Sequence, residues 1–252
     1  MRGLFLYVFI LFCGLNLAQV NEPEWVFKSR ASTLKAGKIP VLVLLHGYGS
    51  NEEDLFDLSA TIDSRYAIYS LRAPISLGNG GFAWYGLNRD SNKKLVYNYK
   101  EAASSREMVM RFILQQCRTN HLDSNAVVLL GFSQGAMLSY DMALSFPGKI
   151  KGVLALSGRL MEESKVQKKP IQLKSTSFFI AHGTNDELIA VTESEKAKDY
   201  LKLMKAKDIV YKTYAMQHVL NGQEIIDIRA WLQKFLAPTV PVKKEPQTPA
   251  KK

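Results

Sequence analysis

The chain has very little cysteine. Its 252 residues include two, Cys13 and Cys117, and the first lies in an N-terminal stretch that we expect to be removed. Cys117 would then be the remaining thiol, which excludes an intrachain disulfide and a metal site built from several cysteines. Because Cys117 falls in a helix-like stretch, we predict that it is a buried, small apolar side chain.

Long apolar runs are also lacking, with one short exception at the N-terminus. There, a single arginine precedes an apolar run from Leu4 to Phe12, and small and polar residues follow. The run is short for a membrane-spanning helix, and its order is typical of a secretory signal peptide cleaved after Ala18. We therefore predict a signal peptide at residues 1–18 and an exported protein that contacts a membrane only transiently. A retained N-terminal membrane anchor is the alternative.

Several binding signatures are missing as well. The chain has no G-x-x-x-x-G-K-[ST] segment, its GNGG segment at 78–81 does not follow a predicted strand, and its four histidines lack metal-ligand spacing. We therefore expect no cofactor and no metal. Part of the net charge of +10 belongs to the chain ends. The basic segment KVQKKP at 165–170 lacks interleaved aromatic residues, so we interpret it as a solvated loop and expect no nucleic-acid partner.

What the chain does contain is a regular alternation of apolar runs and amphipathic stretches. Runs that are apolar throughout are typical of parallel strands covered on both faces, and they occupy residues 41–47, 66–74, 126–133, 152–158, 177–183 and 209–216. Helices are predicted between them, at residues 50–63, 101–120, 134–146, 191–206 and 222–236. This alternation predicts an α/β fold with a mostly parallel central sheet and helices on both faces.

The same pattern sets the predicted domain boundaries. We predict a lead-in at residues 19–37, one folded domain at 38–237, and a Pro- and Lys-rich tail at 238–252 that we expect to be disordered. Within the domain, the stretch 75–100 shows no clear element. Long loops of this kind in compact domains tend to be functional.

One serine stands between two glycines where a predicted strand meets a predicted helix. The segment GFSQG at 131–135 fits G-x-S-x-G, the nucleophile elbow, in which the neighbours of Ser133 must be small because the turn is sharp. The helix that begins at Gln134 would aim its N–H groups at the same place. We therefore predict that Ser133 is a nucleophile above the carboxyl edge of the sheet.

A serine nucleophile needs a general base, and position among the histidines selects one. His46 and His182 each precede a glycine at a strand end, where a structural role is expected, and His121 lies at the opposite edge of the sheet. His218 follows the last strand on the correct edge, in a loop that a helix then fixes. We predict that His218 is the base.

The base in turn needs a carboxylate to hold its tautomer. Asp186 lies just beyond the strand SFFIAHG, at the edge that His218 shares. The order Ser133, Asp186, His218 is the chain order of α/β-hydrolases. Glu187 is a competitor one residue away, and loop placement favours Asp186.

Acyl transfer also requires N–H donors for the developing oxyanion. The N–H of Gln134, directly after the nucleophile, is one candidate. The second should come from the loop after an early strand, and the segment LLHGYGSNEEDL at 44–55 supplies a glycine-rich turn there. We predict the N–H of Tyr48 as this donor, and a plain glycine-rich turn is the alternative.

Several segments together resemble the phospholipase/carboxylesterase family of α/β-hydrolases, which includes acyl-protein thioesterases. They are VLLHGYGSNEEDL, SLRAP, GFAWYGL, LLGFSQGAMLS, LALSGRL, FFIAHGTNDELI and HVLNGQEIIDIRAWL, in this order over residues 38–236. The resemblance implies an α/β-hydrolase fold without a separate lid domain and cofactor-free hydrolysis of esters or thioesters. It assigns the nucleophile, acid and base to the residues chosen above, and the oxyanion donors to Tyr48 and Gln134.

The resemblance also suggests that Trp84 and Tyr85 form a wall of the acyl pocket, with a buried aromatic pair under a long loop as the alternative. The chain departs from the family pattern at two positions. Gln217 stands before the histidine where members often have glycine, and Ala190 stands where they often have proline. Both lie beside expected site residues, where a different side chain changes the shape of the acyl or leaving-group pocket.

From these features we predict an exported serine carboxylesterase that hydrolyses short- to medium-chain carboxylic esters through a Ser-His-Asp triad and an acyl-enzyme. A thioesterase, a lysophospholipase or a peptidase of the same fold is the alternative within the enzymes. A non-catalytic binding protein on a hydrolase scaffold is the alternative of another class. The expected partner is a small-molecule ester, and the sequence leaves the oligomeric state open.

Overall fold

A computed structural model describes residues 24–89, 91, 95–165 and 173–236. The predicted signal peptide at 1–18, the tail at 238–252 and most of the basic segment at 165–170 lie outside these residues. The described part of the chain contains no helix that is both long and apolar enough to cross a membrane.

The chain alternates between strands and helices, as its apolar pattern predicts. The strands are β1 (Phe27–Arg30), β2 (Val41–Leu45), β3 (Ala67–Leu71), β4 (Ile75–Gly78), β5 (Gly81–Ala83), β6 (Leu87–Arg89), β7 (Leu95–Tyr97), β8 (Val127–Phe132), β9 (Ile150–Leu156), β10 (Ser177–Gly183) and β11 (Asp208–Tyr214). The α-helices are α1 (Tyr99–Thr119), α2 (Gln134–Ser145), α3 (Glu162–Lys165), α4 (Val191–Leu203) and α5 (Gly222–Leu236).

In the part of the chain that the structure describes, seven strands form the central sheet, in the order β1-β3-β2-β8-β9-β10-β11. Strand β1 pairs antiparallel with β3, and the other neighbouring strands pair in parallel. The parallel strands β2, β3, β8 and β10 are buried along nearly their whole length. Strands of this kind must be apolar on both faces, which is why they read as continuous apolar runs.

Helices cover both faces of the sheet and create two apolar cores. Strand β2 shows the division, because Val41, Val43 and Leu45 face a core with α1, α2 and α4, whereas Leu42 and Leu44 face a core with α5. Helix α2 is buried on almost every side. Cys117 of α1 packs in the first core as a free, buried thiol, as predicted. The α/β-hydrolase fold is therefore confirmed.

The prediction of a helix at residues 50–63 is wrong. A single 3-10 helix, Phe56–Ala60, forms there between turns. Local polar contacts compete with a helix in this segment: the Asn51 side chain accepts from the Glu53 N–H at 2.9 Å, and Ser50 donates to Asp54 at 2.8 Å. Glu52, which a helix would leave in solvent, is buried and accepts two 2.6 Å hydrogen bonds from Arg72.

The stretch 75–100 contains two short hairpins instead of a structureless loop. Strands β4 and β5 are joined at GNGG, where Asn79 and Gly80 have φ angles of 52° and 78°. Two central residues with positive φ form the tight turn that suits the twist of a hairpin. The segment GNGG therefore does follow a strand, contrary to the sequence-based expectation, but a strand and not a helix comes after it. Strands β6 and β7 form the second hairpin.

Candidate active site

Ser133 lies in the turn between β8 and α2, with backbone angles φ 53° and ψ −112°. Such angles are strained for any residue other than glycine. The turn is so tight that a Cβ atom on Gly131 would overlap the carbonyl oxygen of Gly135, and a Cβ atom on Gly135 would overlap that of Leu45. The two glycines therefore allow the backbone to present one side chain above the sheet edge.

The imidazole of His218 lies between Ser133 and Asp186. Its Nδ1 is 2.7 Å from Asp186 Oδ2, and its Nε2 is 2.9 Å from Ser133 Oγ. With Nδ1–H donating to the carboxylate, Nε2 is left to accept the hydrogen of the serine hydroxyl. The ring also packs against Phe132, with 5.0 Å between ring centroids. The three side chains come from three loops at the carboxyl edge of the sheet, and their hydrogen-bonding order suits general base catalysis.

The loops that carry Asp186 and His218 are joined through their backbones. The Asn185 N–H donates to the Met216 carbonyl at 3.1 Å. A Cβ atom on Gly183 would overlap the carbonyl oxygens of both Met216 and Gln217, so this approach requires glycine at position 183. These contacts bring two loops that are distant in sequence to a fixed separation.

Asp186 is buried and accepts hydrogen bonds through both carboxyl oxygens. Its Oδ1 accepts from the N–H groups of Leu188 and Ile189, both at 2.9 Å. Burial acts to raise the pKa of Asp186, but the Ile189 N–H and the contact with His218 outweigh it, so the pKa lies below its usual range. The group is therefore a carboxylate at neutral pH. Glu187 is exposed, and it is Asp186 that meets His218.

The remaining histidines make other contacts. His46 is buried, its Nδ1 lies 2.7 Å from the Gly47 carbonyl, and its Nε2 accepts from the Ala73 N–H at 3.1 Å. His182 is also buried, and its Nε2 lies 2.8 Å from the Ile189 carbonyl and 3.2 Å from Asp186 Oδ2. His46 thus has the structural role that was predicted. His182 is a second imidazole on the carboxylate, which the sequence did not indicate.

The two predicted oxyanion donors, the backbone N–H groups of Tyr48 and Gln134, belong to different loops beside the serine. Tyr48 and Gln134 both line the cavity that contains Ser133. The loop before Tyr48 lies against the elbow, since a Cβ atom on Gly47 would come within 3.4 Å of Ser133 Cβ. Within the described part of the chain, neither N–H has a hydrogen-bond acceptor. Both are therefore free to bind an oxygen atom of a substrate.

A cavity of about 490 Å3 opens beside Ser133. Its lining is largely apolar, and it comprises Gly47, Tyr48, Tyr85, Leu87, Phe132, Ser133, Gln134, Met137, Arg159, Leu188, Ile189, Ala190, Glu193 and His218. A largely apolar cavity with a few polar groups is typical of small-molecule sites. Among the described residues, no cluster of three or more His, Cys, Asp or Glu side chains could hold a metal.

Trp84 and Tyr85 have different surroundings. Tyr85 lines the cavity, and its hydroxyl donates to the Met137 sulfur at 3.4 Å. Trp84 does not line the cavity, which corrects the expectation that both form its wall: it is fully buried, and its indole N–H donates to the His46 carbonyl at 2.9 Å. Both residues lie in a bend between β5 and β6, and Tyr85 is the one of the two that faces the substrate cavity.

The side chain of Gln134 holds this aromatic segment in place. Its Oε1 accepts from the Trp84 N–H at 2.9 Å, and its Nε2 donates to the Tyr85 carbonyl at 2.7 Å. Gln134 therefore has a role beyond its backbone N–H, because it links the serine turn to the wall of the cavity. The sequence indicated a glutamine after the serine but not this contact.

The sequence of the chain matches a model of the Phospholipase/Carboxylesterase family over residues 33–236. The chain belongs to this family. It is therefore a serine hydrolase of the α/β-hydrolase fold, and the resemblance noted in its motifs is confirmed.

Known relatives agree with this membership. This chain is 30% identical over 165 residues to acyl-protein thioesterase 1 of Kluyveromyces lactis, and the alignment covers 63% of this chain and 72% of the relative. It is 22% identical over 213 residues to acyl-protein thioesterase 1 of Yarrowia lipolytica, covering 79% and 93%. Among solved structures, the carboxylesterase of Bacillus cereus superposes with a TM-score of 0.73 at 24% identity, covering 84% and 95% of the two chains, which shows the shared fold.

Proposed function

We propose that this protein is an exported serine carboxylesterase that hydrolyses short- to medium-chain esters through Ser133, His218 and Asp186. The observation that carries the proposal is the position of one imidazole within 2.9 Å of a strained serine and 2.7 Å of a buried carboxylate. A serine hydroxyl is weakly nucleophilic by itself, and an adjacent base oriented by a third group activates it.

In the proposed reaction, Ser133 Oγ attacks the ester carbonyl while His218 Nε2 takes the hydroxyl proton. The N–H groups of Tyr48 and Gln134 bind the oxyanion that develops. His218 then gives the proton to the leaving alcohol, and an acyl-enzyme remains on Ser133. A water molecule, deprotonated by His218, releases the acid and restores the serine. Asp186 holds the tautomer of His218 throughout and stabilises its cationic form.

Chain length is proposed from the cavity. About 490 Å3 of largely apolar space lies beside Ser133, within the range of sites for small molecules. Tyr85, Leu87 and Met137 offer this space an apolar surface suited to an acyl chain. A thioester is the second candidate substrate, because curated relatives are acyl-protein thioesterases.

Export is proposed from the N-terminal sequence, where a short apolar run precedes small and polar residues. The test is to express the full chain in a bacterial host with a periplasm and to sequence the N-terminus of the soluble periplasmic form. We expect it to begin at Gln19. A full-length protein that stays in the membrane fraction would instead support a retained anchor.

The catalytic proposal is tested with a fluorophosphonate probe and with p-nitrophenyl esters of increasing acyl length. We expect labelling at Ser133, and turnover that Ser133→Ala abolishes. Ser104→Ala is the matched control, because Ser104 is exposed on α1 and should leave both signals unchanged. Assays with thioesters of the same acyl chains distinguish the second candidate, a thioesterase, from a carboxylesterase. Labelling without ester or thioester turnover would favour a peptidase, and absence of both signals would favour a binding protein.

A further inference from the structure

One basic side chain enters the cavity beside Ser133. Arg159 follows β9 and lines the cavity together with the serine. The preceding residue, Gly158, lies against α2, where an added Cβ atom would come within 2.5 Å of Ala136 Cβ. The backbone before Arg159 is therefore held close to the nucleophile turn.

The guanidinium group of Arg159 is also held in position. It lies over the ring of Tyr97, with 5.5 Å between Cζ and the ring centroid, a favourable placement for a cation. The Tyr97 hydroxyl donates to Glu163 at 2.7 Å and accepts from the Glu162 N–H at 3.1 Å. Because the ring is fixed at its far end, the guanidinium group has a defined place in the free enzyme.

Arg159 has no carboxylate partner among the residues that the structure describes. The nearby acidic groups have other partners. Glu193, which also lines the cavity, lies 2.6 Å from the Lys196 ammonium group, and Glu162 lies 2.7 Å from that of Lys165. An arginine side chain is always charged. The cavity therefore contains one cation that no neighbouring carboxylate neutralises, and such a group in a partly buried site favours an anionic ligand.

The direction of the acyl chain follows from the proton transfers of the proposed mechanism. His218 must give its proton to the leaving oxygen, so the alcohol leaves on the His218 side. A second hollow of about 190 Å3 lies there, and it is lined by Glu187, Leu188, Gln217, His218 and Val219. The larger cavity, with its apolar wall and Arg159, is then left for the acyl part of the ester.

We propose that Arg159 binds a carboxylate at the far end of the acyl chain, so that the preferred substrates are monoesters of short dicarboxylic acids. The proposal rests on the proposed esterase function and names its substrate class. A guanidinium group matches a carboxylate with two parallel hydrogen bonds. Tyr85, Leu87 and Met137, which line the same cavity as Ser133 and Arg159, suit the methylene groups that separate the two carbonyl carbons of such an acid.

The test compares p-nitrophenyl monoesters of succinic, glutaric and adipic acids with neutral p-nitrophenyl esters of equal acyl length. Purified wild type, Arg159→Met and Arg159→Lys are assayed, with Ser133→Ala to subtract spontaneous hydrolysis. We expect wild type to prefer the acidic esters by about 10- to 100-fold in kcat/KM. Arg159→Met should lose this preference, mainly through a higher KM for the acidic esters, and Arg159→Lys should retain part of it.

Arg118→Met is the matched control, because Arg118 is exposed in the last turn of α1 and should leave the preference unchanged. The proposal is overturned if wild type favours the neutral esters, or if Arg159→Met leaves the ratio as it was. Acetyl esters of 4-hydroxybenzoate form a further arm: if Arg159→Met impairs these alone, the anion belongs to the alcohol and the assignment is wrong. Absence of both fluorophosphonate labelling and turnover of any ester would instead refute the esterase function itself.

Discussion

The imidazole of His182 lies 3.2 Å from the same Asp186 oxygen that His218 contacts at 2.7 Å. Its Nε2 is also 2.8 Å from the Ile189 carbonyl, which can only accept, so Nε2 carries the hydrogen. The buried ring thus donates toward both the carboxylate and the loop that surrounds it. His182 touches neither Ser133 nor the cavity, and its expected role is to position Asp186.

Removing the His182 N–H should therefore slow the reaction through Asp186. We expect His182→Leu to lower kcat about 10-fold, since a hydrogen bond to a charged group is lost while Asp186 keeps its other donors. His182→Gln can place an amide N–H near the same point and should restore most of the rate. Steady-state kinetics on a neutral ester check this, with KM expected to change little. If kcat falls equally in both variants, and in proportion to their loss of thermal stability, His182 has a packing role alone.

Variants of Asp186 and of its neighbour Glu187 test which of the two is the carboxylate of the triad. Asp186→Asn should lower kcat by roughly 10^3- to 10^4-fold, because an amide no longer holds the required tautomer of His218 or stabilises its cationic form. Glu187→Gln should leave kcat nearly unchanged, because the exposed Glu187 side chain does not meet His218. Burst kinetics on p-nitrophenyl esters measure both variants. A severe loss in Glu187→Gln with a mild one in Asp186→Asn would reverse the assignment.

Much of the sheet could be predicted because its parallel strands are continuous apolar runs, as in Val41–Leu45 and Ser177–Gly183. Strand β1 could not, because its four residues, FKSR, are half exposed and carry no apolar run. It is held by antiparallel pairing with β3 and by the Arg30 guanidinium group, which donates to the Ile62 and Asp63 carbonyls at 2.8 and 2.7 Å. Such contacts over thirty positions leave no local signal in the sequence.

The active site likewise contains features that the sequence predicts and contacts that it does not. Chain order and strand ends were enough to indicate that the loops of Ser133, Asp186 and His218 share one edge of the sheet. The contacts of Gln134 with the backbone of residues 84–85 connect positions about fifty apart, and no periodicity reveals them. Which of Trp84 and Tyr85 faces the cavity also depends on contacts of this kind, because both residues lie in a bend outside the strands.

The tightness of the serine turn has a consequence for stability. In Gly135→Ala the new methyl group would overlap the Leu45 carbonyl and lie 2.8 Å from that of His46. Because both neighbours are backbone atoms of a central strand end, we expect a loss of about 3 kcal/mol or more, or no folded protein. The control is Gly222→Ala at the start of α5, where an added Cβ atom has nothing within 4 Å. It should be neutral or stabilising by up to about 1 kcal/mol.

Thermal unfolding and soluble yield of the two glycine variants measure the difference. A change of 1 kcal/mol should shift the melting temperature by roughly 2–4 °C in a domain of this size. If Gly135→Ala melts at the wild-type temperature, the close approach of α2 to the end of β2 is not present in solution.

Glu224 should make the folded state sensitive to pH. The side chain is fully buried in the first turn of α5, and neither carboxyl oxygen has a hydrogen-bond partner among the described residues. The Asn221 side chain accepts from its backbone N–H at 2.8 Å, which places the residue at the helix cap. Burial raises the pKa of Glu224 from 4.5 to about 8, against a smaller lowering by the Asn221 backbone. At neutral pH the folded protein therefore holds this carboxyl group in its protonated form.

The sign of the effect follows from proton binding. Below pH 4.5 the group is protonated in both states and adds no pH dependence, whereas between pH 4.5 and about 8 the unfolded chain releases a proton that the folded chain keeps. The free energy of unfolding should therefore fall as pH rises through this window, by at most about 1.4 kcal/mol per pH unit. Above pH 8 both states are ionised, and the penalty levels off.

Glu224→Gln removes the titrating group and keeps the shape of the side chain. Urea unfolding at pH 5, 6.5 and 8 should show the variant gaining stability relative to wild type as pH rises, by at most about 4 kcal/mol over this range. The other ionisable groups cancel in that difference, since both proteins contain them. Glu187→Gln is the control, because an exposed carboxylate should give a difference that stays flat. A flat difference for Glu224→Gln as well would mean that water or a rearranged loop solvates the buried carboxyl group.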